Sequence, residues 1–276
     1  MMPPIDLQDL QSYIGAEDVR SDTVRADALA QFRGTLETHL VGEDISAIPP
    51  GFHWTMYPPL TPTRELREDG HPASLGLLPE LPFSSRMWAG GEVTFSGALN
   101  VGDKLDRRSR VASIDLKSGS SGPLLFVKLD HEIIRQDEVV IEETQTIVYR
   151  EPPTSQKAPE QAAEAASDGN FAADSRLLFR YSALTFNTHR IHYDERYARD
   201  VEGYPGLVVH GPLQATLLLN AIAKRLGHPE FRFSYRGVAP LFAGQGAELF
   251  VDGQGAEVRR GSGDTTMKAQ FTPLVR

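Results

Sequence analysis

Three histidines, His189, His192 and His210, fall within one stretch, residues 181–211 (YSALTFNTHRIHYDERYARDVEGYPGLVVHG), and a carboxamide, Asn187, stands five residues before His192. A neutral imidazole, with an ordinary pKa near 6.5, can take a proton from water and return it at neutral pH. An amide across a turn can hold the same water but cannot titrate, so the proton traffic would fall to His192. Alone, an Asn and a His at this spacing read more simply as hydrogen-bonded turn residues. The next segment shifts that balance. Gly211-Pro212 opens the apolar run PLQATLLLNAIAKRL, and a proline at the first helical position lacks an N–H where none is needed. The Gly211 N–H, with the helix dipole behind it, then points past the helix end at an oxygen that gains negative charge. Losing such a donor typically costs about 3–4 kcal/mol of barrier.

Other chemistry is narrowed by composition. The chain has no cysteine, which removes disulfides, zinc–cysteine sites, iron–sulfur clusters and thiol catalysis together. Its net charge of -9 argues against a grip on nucleic-acid backbones. Lys104, Arg107, Arg108 and Arg110 read as the solvated side of a strand. His189, His192 and His210 could ligate a metal in principle, but no carboxylate sits at a familiar ligand spacing, and no metal is expected. Arg190, Arg236 and Arg86 could each grip a carboxylate through a bidentate fork.

The elements that must position these residues can be read in order. At 276 residues, with 40% hydrophobic and 24% charged residues, the chain has ordinary globular composition and room for one large or two ordinary domains. No apolar run approaches the ~20 residues of a membrane span or the form of a signal peptide, so a cytoplasmic protein is expected. Residues 24–41 carry helical spacing (Val24, Ala28, Leu29, Phe32, Leu36, Leu40). A proline-dense crossing segment follows from Ile48 to Phe83; so long a stretch without regular structure is often functional. Alternation then predicts about four antiparallel strands up to Arg150. Residues 151–174, poor in large apolar side chains, read as a linker. In the second half, residues 175–181 read as a strand or turn, 195–200 as a short helix capped by Asp194, and 212–226 as a buried helix. Strands are expected over 231–238, 247–251, 256–260 and 265–271. Helix followed by antiparallel sheet thus occurs twice, an α+β architecture of two similar halves.

YSALTFNTHRIHYDERYA resembles the hydratase-2 motif of MaoC-like enoyl-CoA hydratases. That family has the hot-dog fold, a long helix wrapped by a curved antiparallel sheet. Its motif has an Asp five residues before a catalytic His, here Asn187 and His192, and its oxyanion segment matches Val209-His210-Gly211. EGYPGLVVHGPLQATLLLN, YRGVAPLF, RMWAGGEVTF and SRVASIDLKSGSSGPLLFVKLDHEI resemble the double-hot-dog branch, which includes mesaconyl-C4-CoA (3-methylfumaryl-CoA) hydratases, itaconyl-CoA-type hydratases and type 2 3-hydroxyacyl-thioester dehydratases. The resemblance implies a non-catalytic hot-dog domain over 1–150 and a catalytic one over 175–276. It implies a hydro-lyase acting on the α,β double bond of an acyl-CoA, with a mesaconyl-C4-CoA type substrate first and a fatty 3-hydroxyacyl chain second. The rivals are a hot-dog thioesterase and a non-enzymatic acyl-CoA-binding subunit. His192 would be base and then acid, Asn187 would position water, and Gly211 N–H would polarise the thioester. His210, Arg190, Arg236, Tyr204, Arg86 and Trp88 are expected to contact substrate. No cofactor beyond the CoA thioester is implied, and no nucleic-acid or membrane partner, with a homodimer left open.

Overall fold

Alternating apolar and polar residues set most of this architecture. The computed structural model describes residues 6–40, 48–74, 76–83, 85–119, 122–151 and 171–274. The first half comprises α1 (Leu7–Gln11), β1 (Glu17–Thr23), α2 (Ala26–Leu36), a crossing segment, and then β2 (Ser85–Phe95), β3 (Lys104–Gly119), β4 (Gly122–Arg135) and β5 (Glu138–Arg150). The second comprises β6 (Phe171–Ala172), α3 (Ser175–Leu184), α4 (Glu195–Asp200), α5 (Gly211–Leu226), β7 (Phe231–Gly237), β8 (Gly246–Asp252), β9 (Gly255–Arg260) and β10 (Thr265–Pro273).

All ten strands join in one antiparallel sheet, in the order β1-β3-β4-β5-β2-β7-β10-β9-β8-β6, five from each half. The seam is β2 against β7, with Gly91 opposite Tyr235 and Val93 opposite Phe233. Helix α5 is buried on nearly every side, and Leu213, Leu217, Leu218 and Leu219 have no exposed surface. Each such leucine stabilises the fold by roughly 1.5–3 kcal/mol, so the sheet must wrap this helix. Gly227, at φ 78°, ends it by returning its N–H to Ala223 O at 2.8 Å. Phe32 of α2 and Phe95 of β2 share one apolar core with the α5 leucines and with Phe231, Phe233 and Phe271. The two halves therefore have one sheet and one principal core in common.

The expected second-half strands are present to within a residue or two. Other expectations change. Residues 175–181 are helical, not extended, because Asp174 caps α3 by accepting from Leu177 N at 2.9 Å and turns Leu178, Tyr181 and Ser182 to one buried face. Of the proposed linker, residues 152–170 lie outside the described residues, while Phe171–Ala172 already pairs with β8. Strand β1, unforeseen, pairs with β3. The crossing segment packs on the second half: Pro50 O accepts from Asn220 Nδ2 of α5 at 2.8 Å, and Gly51 lies against Thr216.

Candidate active site

His192 ends a short 3-10 turn, Arg190–His192, and is nearly buried, at 7% exposure. Its Nδ1 lies 2.7 Å from Val208 O. A carbonyl can only accept, so Nδ1 carries the hydrogen, and Nε2 is left with a lone pair. Burial pushes this imidazole down to about 4, against the opposing pull of the Val208 carbonyl. At neutral pH it is therefore a neutral base.

Beneath it lies His210. The two rings stack at 3.6 Å with a 20° tilt, and His210 Nε2 meets Ser182 Oγ at 2.8 Å. His210 is wholly buried and stands at the N-cap position of α5, though its side chain makes no capping bond, so the stack sets His192 at the N-terminus of that helix. Burial also holds His210 well below the ordinary histidine value. Its expected contact with substrate gives way to a supporting place under His192.

Gly211 is the first residue of α5 and Pro212 the second, one position earlier than expected. The Gly211 N–H is one of the four that no carbonyl within the helix can serve. Trp88 faces it closely: a Cβ at position 211 would sit 3.2 Å from Trp88 Cε3. Trp88 lies beside a register shift in β2, and such bulges re-aim side chains. It packs on Tyr235 at 4.8 Å and meets Trp54 edge-on at 5.4 Å, while Trp54 Nε1 donates to Glu143 Oε1 at 2.8 Å. These aromatics pack together beside the helix end.

Asn187 stands on the same loop. Its side-chain oxygen accepts from His189 N at 3.0 Å and its own N–H donates to Ser182 O at 2.8 Å, so it braces the turn. Arg190 is occupied elsewhere: it bonds Asp194 Oδ2 at 2.8 and 3.1 Å and covers the Tyr197 ring at 4.0 Å. Arg236 is exposed and alternates with inward Tyr235, which puts it on the sheet face away from α5. Tyr204 packs beside Phe242 in a satellite cluster with Ile191 and Val208. These three do not join the histidines; Arg86 does, and its positive charge helps to depress both His71 and His189.

The sequence reading missed Asp69 and His71, which the crossing segment brings to the same place. The His71 ring lies 4.0 Å from that of His189, which in turn meets His192 edge-on at 5.3 Å. Burial, then the Arg86 charge, push His71 down to about 4. Burial, followed by the nearby His71, His192 and Arg86, lowers His189 further. No carboxylate sits at a familiar ligand spacing along the sequence, but folding brings one in: Asp69, His71 and His189 offer ligand atoms within 4.8 Å of one another, a spacing a cation could bridge. Here the Asp69 carboxylate is turned onto His71 Nδ1 at 3.0 Å, as a hydrogen bond. The adjacent Asp-Gly-His triplet inside a long irregular segment was the available signal.

The sequence profile of the hydroxyacyl-thioester dehydratase type 2 family matches residues 51–243. The chain is 42% identical over 240 residues to a mesaconyl-C4-CoA hydratase of Chloroflexus aurantiacus, covering 85% of each chain. It is 25% identical over 276 residues to the mitochondrial hydroxyacyl-thioester dehydratase type 2 of Schizosaccharomyces pombe, covering 88% of this chain and 92% of that one. Among solved structures, HtdX of Mycobacterium tuberculosis superposes with a TM-score of 0.67 at 16% identity, over 94% of this chain and all of that one. A double-hotdog-fold protein from the same organism gives 0.56 at 15% identity, over 94% of this chain and 95% of that one. The fold is accordingly a double hot-dog.

Proposed function

The chain belongs to the hydroxyacyl-thioester dehydratase type 2 family of MaoC-like hydro-lyases, and from that premise we propose that it hydrates, and in reverse dehydrates, a short enoyl-CoA of the mesaconyl-C4-CoA type. The observation that carries this reading is the His192 imidazole, fixed by Val208 O with Nε2 left basic and held by His210 at the N-terminus of α5. His192 Nε2 takes a proton from water as the oxygen adds to Cβ of the acyl group. The π electrons move toward the thioester, and the charge that builds on its oxygen is met by Gly211 N–H. The imidazolium then returns its proton to Cα, which completes addition across the double bond without a further reagent.

Two features support a short dicarboxylic acyl group over a fatty one. Trp88, Trp54 and Tyr235 pack as one aromatic group beside the N-terminus of α5, bulk that favours a small acyl group there. Arg86, which hydrogen-bonds Tyr149 and whose charge reaches His71 and His189, has no carboxylate ion pair among the described residues, and its remaining donors suit a distal carboxylate. The 42% identity to a mesaconyl-C4-CoA hydratase points the same way.

A panel of enoyl-CoA esters, followed by loss of enoyl-thioester absorbance, tests this. A short dicarboxylic ester should turn over fastest, and His192→Ala should lower kcat by roughly 10²–10⁴-fold with the fold intact. Release of free CoA without hydration would make the protein a thioesterase. Normal turnover by His192→Ala would end the proposal.

A further inference from the structure

The position at which the hydratase-2 motif has its carboxylate is occupied by Asn187, whose oxygen is engaged with the loop backbone. A carboxylate nonetheless reaches the histidines from the other half of the chain. Asp69 is 6% exposed. Its Oδ2 lies 3.0 Å from His71 Nδ1, and its Oδ1 accepts the His71 backbone N–H at 2.9 Å. The segment that carries this pair is fastened to the motif itself: Arg190 N donates to Asp69 O at 2.9 Å and Thr188 Oγ1 to Gly70 O at 2.5 Å. The fastening is tight enough that a Cβ on Gly70 would fall 1.8 Å from Thr188 O. From there three imidazoles run in contact, His71 against His189 and His189 edge-on to His192.

We propose that Asp69 and His71 are positioning residues of the hydration site, contributed by the first half in place of the motif's missing carboxylate. Asp69 holds His71 with its hydrogen on Nδ1, and His71 holds the His189 ring against which His192 is set. Burial opposes ionisation of Asp69, but the hydrogen bond from the His71 side chain keeps its carboxyl below the usual range, so a negative charge is available to orient that ring. An imidazole oriented by a buried carboxylate is the logic of hydrolytic triads, applied here with the His71 and His189 rings between the carboxylate and the base. The first half is then part of the site and not a spent copy.

The kinetic test rests on the hydratase reading. Asp69→Asn, which keeps size but can reverse the hydrogen-bond polarity toward His71, should lower kcat about 100-fold with KM within about threefold and the melting temperature within about 3 °C. His71→Asn, which retains an N–H donor for Asp69, should keep about tenfold more kcat than His71→Ala, and the Asp69→Asn/His71→Ala double variant should fall no further than His71→Ala. A second arm needs no substrate: imidazole nitrogen resonances of the resting protein should show His71 and His192 with hydrogen on Nδ1, and Asp69→Asn should change His71 and shift His189 and His192. Wild-type kcat within about threefold for Asp69→Asn would overturn the proposal, as would unmoved His189 and His192 resonances. A raised KM at unchanged kcat would also overturn it, since that marks a substrate contact. So would loss of wild-type activity to a chelator with restoration by a divalent cation, because the same three residues would then be ligands.

Discussion

At the scale of single residues, the unusual feature is a group of imidazoles kept neutral by burial. The unfolded chain binds protons on His71 and His192 near 6.5, whereas in the folded protein both are pushed down to about 4. Folded-state values below the unfolded ones mean that the stability is fully present above pH 6.5 and is lost as the pH falls toward 4. A shift of this size corresponds to about 3 kcal/mol per imidazole. The melting temperature should therefore start to drop once the pH passes below 6.5, while kcat/KM stays flat to about pH 5 and falls only as His192 protonates. An activity limb centred at the ordinary histidine value would contradict this. Glu143 acts in a lower window: burial raises its carboxyl, but the His53 imidazole 3.6 Å away and the hydrogen bond from Trp54 more than offset this and leave it at about 2, so its contribution is lost only between pH 4.5 and 2. His192 and Gly211 were legible because their spacing is local. Asp69 and His71 were not, because Gly70 is 118 residues from Thr188 and the contact exists only after folding.

At the scale of elements, the crossing segment does most to define the site. Gly70 sits at φ 89°, a conformation costly for any residue with a Cβ, and has no room for one against Thr188 O. Gly70→Ala should destabilise the protein by more than about 2 kcal/mol and expose residues 63–72 and 186–194, measured by denaturant titration and amide hydrogen exchange. Wild-type protection in those two segments would show the fastening to be incidental. Most elements could be read from pattern: strand alternation, the Asp194 cap, the Gly-Pro opening of α5. Helix α3 could not, since RLLFR is a short apolar run compatible with either geometry until Asp174 is seen to cap it. Nor could Arg107, read as a solvated strand residue, be seen to lie over the Tyr57 ring at 4.8 Å.

At the scale of the molecule, the two halves are less separable than the sequence suggests. The duplication of helix and sheet was visible, but pairing of Gly91 with Tyr235 across the seam is a long-range event that no local pattern encodes. Because the core contains Phe32 and Phe95 from one half and the α5 leucines from the other, neither half should unfold alone. Calorimetry should give one transition whose calorimetric and van't Hoff enthalpies agree; two resolved transitions would show the halves to be independent.

One feature of the ten-stranded sheet extends beyond the single chain. Its outermost strands among the described residues are β1, whose sequence EDVRSDT is mostly charged or polar, and β6, only two residues long. Unpaired backbone at a sheet margin invites a foreign strand, and charge and brevity are two ways of refusing it. Growth by adding strands end to end is thereby discouraged, and copies of this chain that associate would meet through the broad faces of the sheet or the helices lying on them.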